Sequence, residues 1–142
     1  MNTLRRLSNF RFLLVAALAA NSTEHTLAAE PQQREALFAC AGVQNLTGAD
    51  GTPKLVNEPA EAQILIKTSS VVVGAGPTFY SREIPIAVET EFQISFAHVN
   101  GSIGHSGNFN KVTGALKLAD HHDTPPYWWA EYSCKPAKKL LQ

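Results

Sequence analysis

Hydrophobic and polar residues alternate along much of the chain, which is the period-two pattern of β-strands with one buried face. The pattern is clearest in residues 91–118. Phe92, Ile94, Phe96 and His98 are predicted to lie on the buried side of one strand in this segment. The segment therefore predicts the first limb of a β-hairpin.

Two turn signals follow this strand. Asn100-Gly101 is predicted to supply the two positive φ angles of a tight hairpin turn. Gly114, after Val112 and Thr113, suits the left-handed position that closes a second turn. Two successive hairpins predict an antiparallel meander.

Further short apolar runs, bounded by turn-forming residues, predict more strands. Residues 36–43 are predicted as the first strand, with a helical turn as the alternative because of their alanines. Residues 58–62 also allow one helical turn. Pro85 lacks a backbone donor, so its strand is expected at a sheet edge or beside a bulge. Seven or eight such strands predict an all-β fold, a small antiparallel meander forming a sandwich or a partly closed barrel.

The last predicted strand has two different faces. Counting by twos from Cys134 places Tyr132 and Trp128 on the same side. A bridged cysteine is usually buried, so these aromatic residues are predicted to belong to the core. Tyr127 and Trp129 are predicted to point outward.

Residues 1–28 have the organisation of a secretory signal. An apolar run at residues 12–20 is too short to span a bilayer, for which a helix needs about 20 residues. Cleavage is predicted after Ala28, with Ala19 as the alternative. The remaining residues 29–142 are predicted to form a single β domain in the periplasm or outside the cell, with no membrane span after processing. The basic residues before the apolar run are Arg5, Arg6 and Arg11.

The two cysteines, Cys40 and Cys134, are expected to form a disulfide in an oxidising compartment. This bond would close a loop of about 94 residues and tie the first strand to the last. Two cysteines alone do not make a structural zinc site, which needs four ligands.

The charge balance gives no support to a nucleic-acid partner. The chain has 12 Lys and Arg against 12 Asp and Glu. No basic stripe stands out, which argues against nucleic acid or an anionic membrane as the main partner.

Residues 109–116 and 132–136 resemble small exported bacterial proteins of uncharacterised function. In that family a hydrophobic-Asp-Arg-x-Thr-Gly-x-hydrophobic turn precedes a closing strand that carries a cysteine. Here Asn110-Lys111 stands in place of Asp-Arg, followed by Val-Thr-Gly-Ala-Leu, and the closing strand reads Cys-Lys-Pro. The resemblance implies a similar β fold and export, and it implies no activity.

The polar residues that could form a metal site are His98, His105, His121, His122, Asp120 and Asp123. The adjacent histidines fall in a predicted loop, where no strand or helix would fix them, so they are interpreted as solvated. No metal, no cofactor and no catalytic residue is predicted. Both cysteines are committed to the disulfide and no Gly-x-Ser-x-Gly motif is present, so an enzyme is not favoured.

Tyr127 and Trp129 remain as candidate ligand-binding residues. Flat aromatic side chains beside a proline-rich loop gain contact area at small entropic cost. The favoured function is a binding or interaction module whose partner is a protein, a glycan or a small apolar ligand. The alternatives are a barrel that carries a small apolar ligand inside, an enzyme of unrecognised type, and a second covered face that makes both tryptophans core.

Overall fold

The computed structural model of the protein describes residues 34–76 and 79–138, and these residues form eight strands. The signal predicted at residues 1–28 lies outside them. Within the described part of the chain, no helix is long and apolar enough to cross a membrane. The strands are β1 (Ala36–Thr47), β2 (Pro53–Ile66), β3 (Ser70–Ala75), β4 (Phe79–Glu89), β5 (Gln93–Asn100), β6 (Ile103–Asn110), β7 (Ala115–His122) and β8 (Trp128–Pro136).

The strands close into a barrel. Each strand pairs antiparallel with the next one along the chain, and β8 pairs antiparallel with β1. The prediction of an all-β antiparallel meander is confirmed. Of the two architectures left open by the sequence, the structure has the barrel, and its closure is complete rather than partial.

The inside and outside of the barrel wall follow the alternation of residues in β8. Trp128 is 2% exposed and Trp129 is 43% exposed. Ala130, Tyr132 and Cys134 are also buried, and the residues that alternate with them are exposed. The predicted assignment of Trp128 and Tyr132 to the core and of Trp129 to the surface is confirmed.

Side chains fill the barrel interior. Two of the largest, Trp128 and Phe96, occupy space that glycines leave free. A Cβ atom at Gly76 would overlap the indole ring of Trp128, and a Cβ atom at Gly107 would overlap the ring of Phe96. The largest fully buried side chains are Trp128, Phe96, Ile64, Ile84, Ile94, Leu116, Val71 and Val73.

The disulfide lies at the junction where the barrel closes. Cys40 in β1 and Cys134 in β8 are register partners, and their sulfurs are bonded. They are 94 positions apart in the sequence and both are buried. The predicted bond between the first and the last strand is confirmed.

The first hairpin turn differs from its prediction by one residue. Asn100 pairs with Ile103, so the loop consists of Gly101 and Ser102. Gly101 has a φ of 63°, whereas Asn100 is not among the described residues with positive φ. A positive φ at the first loop position alone is the pattern of a type II′ turn, which favours glycine there.

The second turn forms where it was predicted, and Gly114 has a φ of 74°. The Asn110 side chain explains how the turn is held. Its Oδ1 atom accepts hydrogen bonds from the backbone N–H groups of Val112 and Thr113, each at 2.9 Å. The amide oxygen of Asn110 therefore satisfies two backbone donors of this turn.

One other local prediction needs correction, and two alternatives that the sequence left open are settled. Phe92 is 60% exposed and precedes β5, so it does not continue the buried series of Ile94 and Phe96. Residues 58–62 belong to β2 and form no helical turn. Of the two places predicted for Pro85, a sheet edge or a bulge, the structure has the second: β4 pairs with both neighbours, and its register against β5 shifts directly after Ile86.

Candidate functional site

The predicted binding residues Tyr127 and Trp129 both lie at the barrel surface, and we call them the aromatic strip. Their exposed fractions are 37% and 43%. Trp129 is the register partner of Asn45 in β1 and of Ala119 in β7, so the strip has a strand on each side. The surrounding sheet fixes the backbone that carries these rings.

Tyr127 is held in place although it precedes β8. Its backbone N–H donates to the Oγ1 atom of Thr47 at 2.7 Å. The backbone N–H of Thr47 in turn donates to the Tyr127 carbonyl oxygen at 2.9 Å. Thr47 ends β1, so these two bonds continue the β1–β8 pairing and keep Tyr127 beside Trp129.

The surface beside the strip contains a β-bulge. The β1–β2 register shifts between Gln44 and Leu46. Asn45, in the bulge, is only 9% exposed, and its Oδ1 atom accepts a hydrogen bond from the backbone N–H of Asn57 at 3.0 Å. Asn57 itself has a φ of 50°. Val56 in β2, opposite the bulge, is 65% exposed.

A charged pair borders the strip on its other side. Lys117 Nζ lies 3.2 Å from Glu131 Oε1, and both side chains are more than half exposed. An exposed pair of this kind stabilises a fold by at most about 1 kcal/mol. The pair also places charged side chains next to the apolar rings of the aromatic strip.

A shallow groove of about 540 Å³ lies on the outer surface of the same strands. Small residues that include Ala39, Ala41, Gly74 and Ser133 line it. Ser133 follows Trp129 by four residues, a distance of about 13 Å along a strand. The outer face of β1 and β8 therefore has an aromatic part and a grooved part within reach of one extended molecule.

Polar residues gather inside one end of the barrel, which we call the His98 end. His98 continues the inward series of Ile94 and Phe96 in β5, pairs in register with His105, and His105 pairs with Asp120. His98 is exposed, but His105 and Asp120 are buried.

His105 and Asp120 make a direct contact in the interior. The Nδ1 atom of His105 lies 2.7 Å from Oδ1 of Asp120, and their side chains are 7% and 1% exposed. The sequence did not predict this pair. The predicted loop at the adjacent histidines is wrong, because β7 extends to His122. The pairing could have been found only from the register of β6 against β7.

The side chain of His121, one of the predicted candidates, lies outside the described part of the structure. Among the side chains that the structure describes, no three from His, Cys, Asp or Glu are arranged to hold an ion. His122 is half-buried and Asp123 is exposed.

The opposite end of the barrel, which we call the Glu89 end, carries an ion-pair network. Arg34 donates from both terminal nitrogens to the two carboxylate oxygens of Glu89, at 2.7 and 3.2 Å. Lys111 Nζ contacts the same carboxylate at 2.7 Å. The Arg34 guanidinium first, and then Lys111, lower the pKa of Glu89 to about 2.

An open cavity of about 220 Å³ lies beside this network, and Arg34 and Lys111 are part of its lining. Its apolar lining includes Phe38, Ile66, Ile94 and Phe109. Pockets for drug-sized ligands usually measure about 300–1,000 Å³. The cavity therefore offers limited room for an internal apolar cargo.

Comparison with known proteins adds no further constraint. No protein-family model, no curated protein and no solved structure matches the chain.

Proposed function

We propose that this protein is an exported binding module that contacts its partner through the aromatic strip. The observation that carries the proposal is the outward position of Trp129, 43% exposed, directly next to the core residue Trp128. A large aromatic side chain held in the open by a regular strand has no role in the core of this barrel.

Physical reasons favour binding at such a position. Tryptophan and tyrosine supply large contact areas with few rotatable bonds, and they are enriched among the residues that dominate binding energies. The hydrogen bonds between Tyr127 and Thr47 order the backbone before a partner arrives. Less conformational entropy is then lost on binding.

The groove beyond the strip suggests the shape of the partner. A chain that lies along β8 from Trp129 to Ser133 would contact the aromatic rings and then the small residues of the groove. We therefore propose an extended partner, which is a protein segment or a glycan chain. Charge does not select the partner strongly, because Lys117 pairs with Glu131 at the margin and the groove lining has one acidic and one basic residue, Glu61 and Lys135.

Export is part of the proposal. The N-terminal residues have the pattern of a secretory signal. A buried disulfide between Cys40 and Cys134 suits an oxidising compartment. We propose the periplasm or the extracellular space as the location, in line with the resemblance to small exported proteins.

The carrier alternative has weaker support. Large side chains such as Trp128, Phe96 and Ile64 are fully buried inside the barrel. The cavity at the Glu89 end, about 220 Å³, would need to enlarge before it could accept a lipid-sized molecule.

The test is affinity capture from the exported fraction with wild-type protein and two variants. Trp129→Ala removes the larger ring of the strip. Phe92→Ala removes a ring that is 60% exposed at the Glu89 end and serves as the matched control. We expect Trp129→Ala to lose the partner that the wild type and Phe92→Ala both retain. Equal capture by all three proteins would contradict the proposal.

A further inference from the structure

We propose that the His98 end of the barrel binds a small primary amine through Asp120. One carboxylate oxygen of Asp120, Oδ1, is in contact with His105. The other, Oδ2, is buried and has no hydrogen-bond partner within residues 34–76 and 79–138. This inference does not depend on the aromatic strip, which lies on the outer surface.

A buried carboxylate oxygen without a donor is unfavourable, because the oxygen has lost its hydration and gained nothing in return. Buried charges in proteins are normally paired and hydrogen-bonded. Among the described residues, the ion pair of Asp120 is with His105, and no lysine or arginine reaches its carboxylate. A donor is therefore missing at a defined atom.

A primary ammonium group fits this atom better than a neutral group does. It donates a hydrogen bond to Oδ2 and also supplies a positive charge beside the carboxylate. A charge-assisted hydrogen bond of this kind is about twice as strong as a neutral one. A quaternary ammonium ion carries the charge but has no N–H donor.

The position of Asp120 in β7 allows access from the barrel end. β7 ends at His122, two residues after Asp120 and on the same side of the strand. His98, beside His105 in the register, is exposed. The site is thus buried but lies close to the surface.

The adjoining wall between β4 and β5 is also weakened at this end. Among the described residues, β4 pairs with β5 only from Ile86↔Phe96 to Glu89↔Ile94. The part of β5 that follows Phe96 and includes His98 has no such pair with β4. Pro85, the residue before Ile86, has no N–H with which to extend the ladder. We propose this gap in the ladder, beside His98, as the route of the amine.

A buried water molecule is the competing explanation. The hydroxyl group of Tyr132, also in the interior, likewise has no partner among the described residues. Ordered water commonly satisfies such groups. Water would satisfy Asp120 without any preference for an amine, so the two explanations predict different responses to added ligands.

The experiment is thermal unfolding of the full-length exported protein with three probes, namely propylammonium, tetramethylammonium and 1-propanol. We expect propylammonium to raise Tm saturably, by about 5 °C at ten times its Kd, and the other two to have no such effect. Asp120→Asn should abolish the response. Glu131→Gln, which changes an exposed carboxylate, and Trp129→Ala should both retain it.

A second measurement covers the case in which Asp120→Asn does not fold. In the wild type, propylammonium should shift the imidazole NMR signals of His105, and 1-propanol should not. No response to propylammonium, an equal response to all three probes, or a response that survives in Asp120→Asn would overturn the proposal and leave a water site.

Discussion

Trp128 and Trp129 are neighbours in the chain and lie on opposite sides of the barrel wall. The first is 2% exposed and donates its indole N–H to Gln44 Oε1 at 3.1 Å, and the second is 43% exposed. The same residue type therefore packs in the core at one position and faces the solvent at the next.

Replacing each tryptophan by alanine should separate these roles. Trp128→Ala should lower the free energy of unfolding by about 3–5 kcal/mol, because it empties a packed volume in the core. Trp129→Ala should lower it by less than about 1 kcal/mol, as is usual for a surface position. Urea unfolding measures both. Equal and large losses would show that Trp129 also supports the core.

Gly107→Ala should destabilise the barrel because the added methyl group would overlap the Phe96 ring. We expect a loss of about 1–3 kcal/mol in the free energy of unfolding. Gly74→Ala is the matched control, since no described atom lies within 4 Å of a Cβ built there. Phe96→Leu in the same chain should recover part of the loss. A similar effect of both alanines would rule out the steric explanation.

The disulfide should contribute substantially to stability because it joins strands whose cysteines are 94 positions apart. Replacing both Cys40 and Cys134 by alanine should lower the free energy of unfolding by about 2–5 kcal/mol. Denaturant unfolding with and without reductant checks this value. Unchanged stability of the double variant would mean that strand pairing alone closes the barrel.

Glu89 should give the protein a measurable sensitivity to acid. Its pKa is about 2 in the folded protein, below the ordinary value of 4.5. A lowered pKa stabilises the fold above the ordinary value, and this stabilisation is lost as pH falls from about 4.5 to about 2. The carboxylate is partly exposed, so we expect only about 1 kcal/mol.

Comparing wild type with Glu89→Gln isolates this contribution. The wild type should be the more stable protein at pH 7, and the difference should disappear near pH 2. Urea unfolding at pH 7, 5, 3 and 2 provides the measurement. A difference that stays constant across this range would show that the ion pairs with Arg34 and Lys111 are not its source.

The local parts of the fold could be predicted from the sequence. Alternation from Cys134 gave the correct sides for Trp128 and Trp129, because a strand has a fixed period of two. The turn at Gly114 was also correct, since the left-handed conformation strongly selects glycine. The turn at Asn100 and Gly101 was displaced by one residue, because Asn-Gly and Gly-Ser each form two-residue hairpin loops.

Long-range features could not be predicted in the same way. Closure of the barrel depends on the pairing of β1 with β8. The alternation of residues within one strand does not show which other strand it pairs with. The His105–Asp120 contact joins residues 15 positions apart through the β6–β7 register. Phe92 looked like the start of a buried series, but the chain turns before β5 begins and leaves it exposed.

The most direct test of binding at the aromatic strip is photo-crosslinking in cells that produce the protein. A photoreactive phenylalanine analogue is placed at Trp129 in one protein and at Phe92, an exposed aromatic residue at the other end, in a second. Intact mass then reports covalent adducts. We predict a discrete adduct from position 129 and none from position 92. No adduct at position 129, or the same adducts at both positions, would contradict the account.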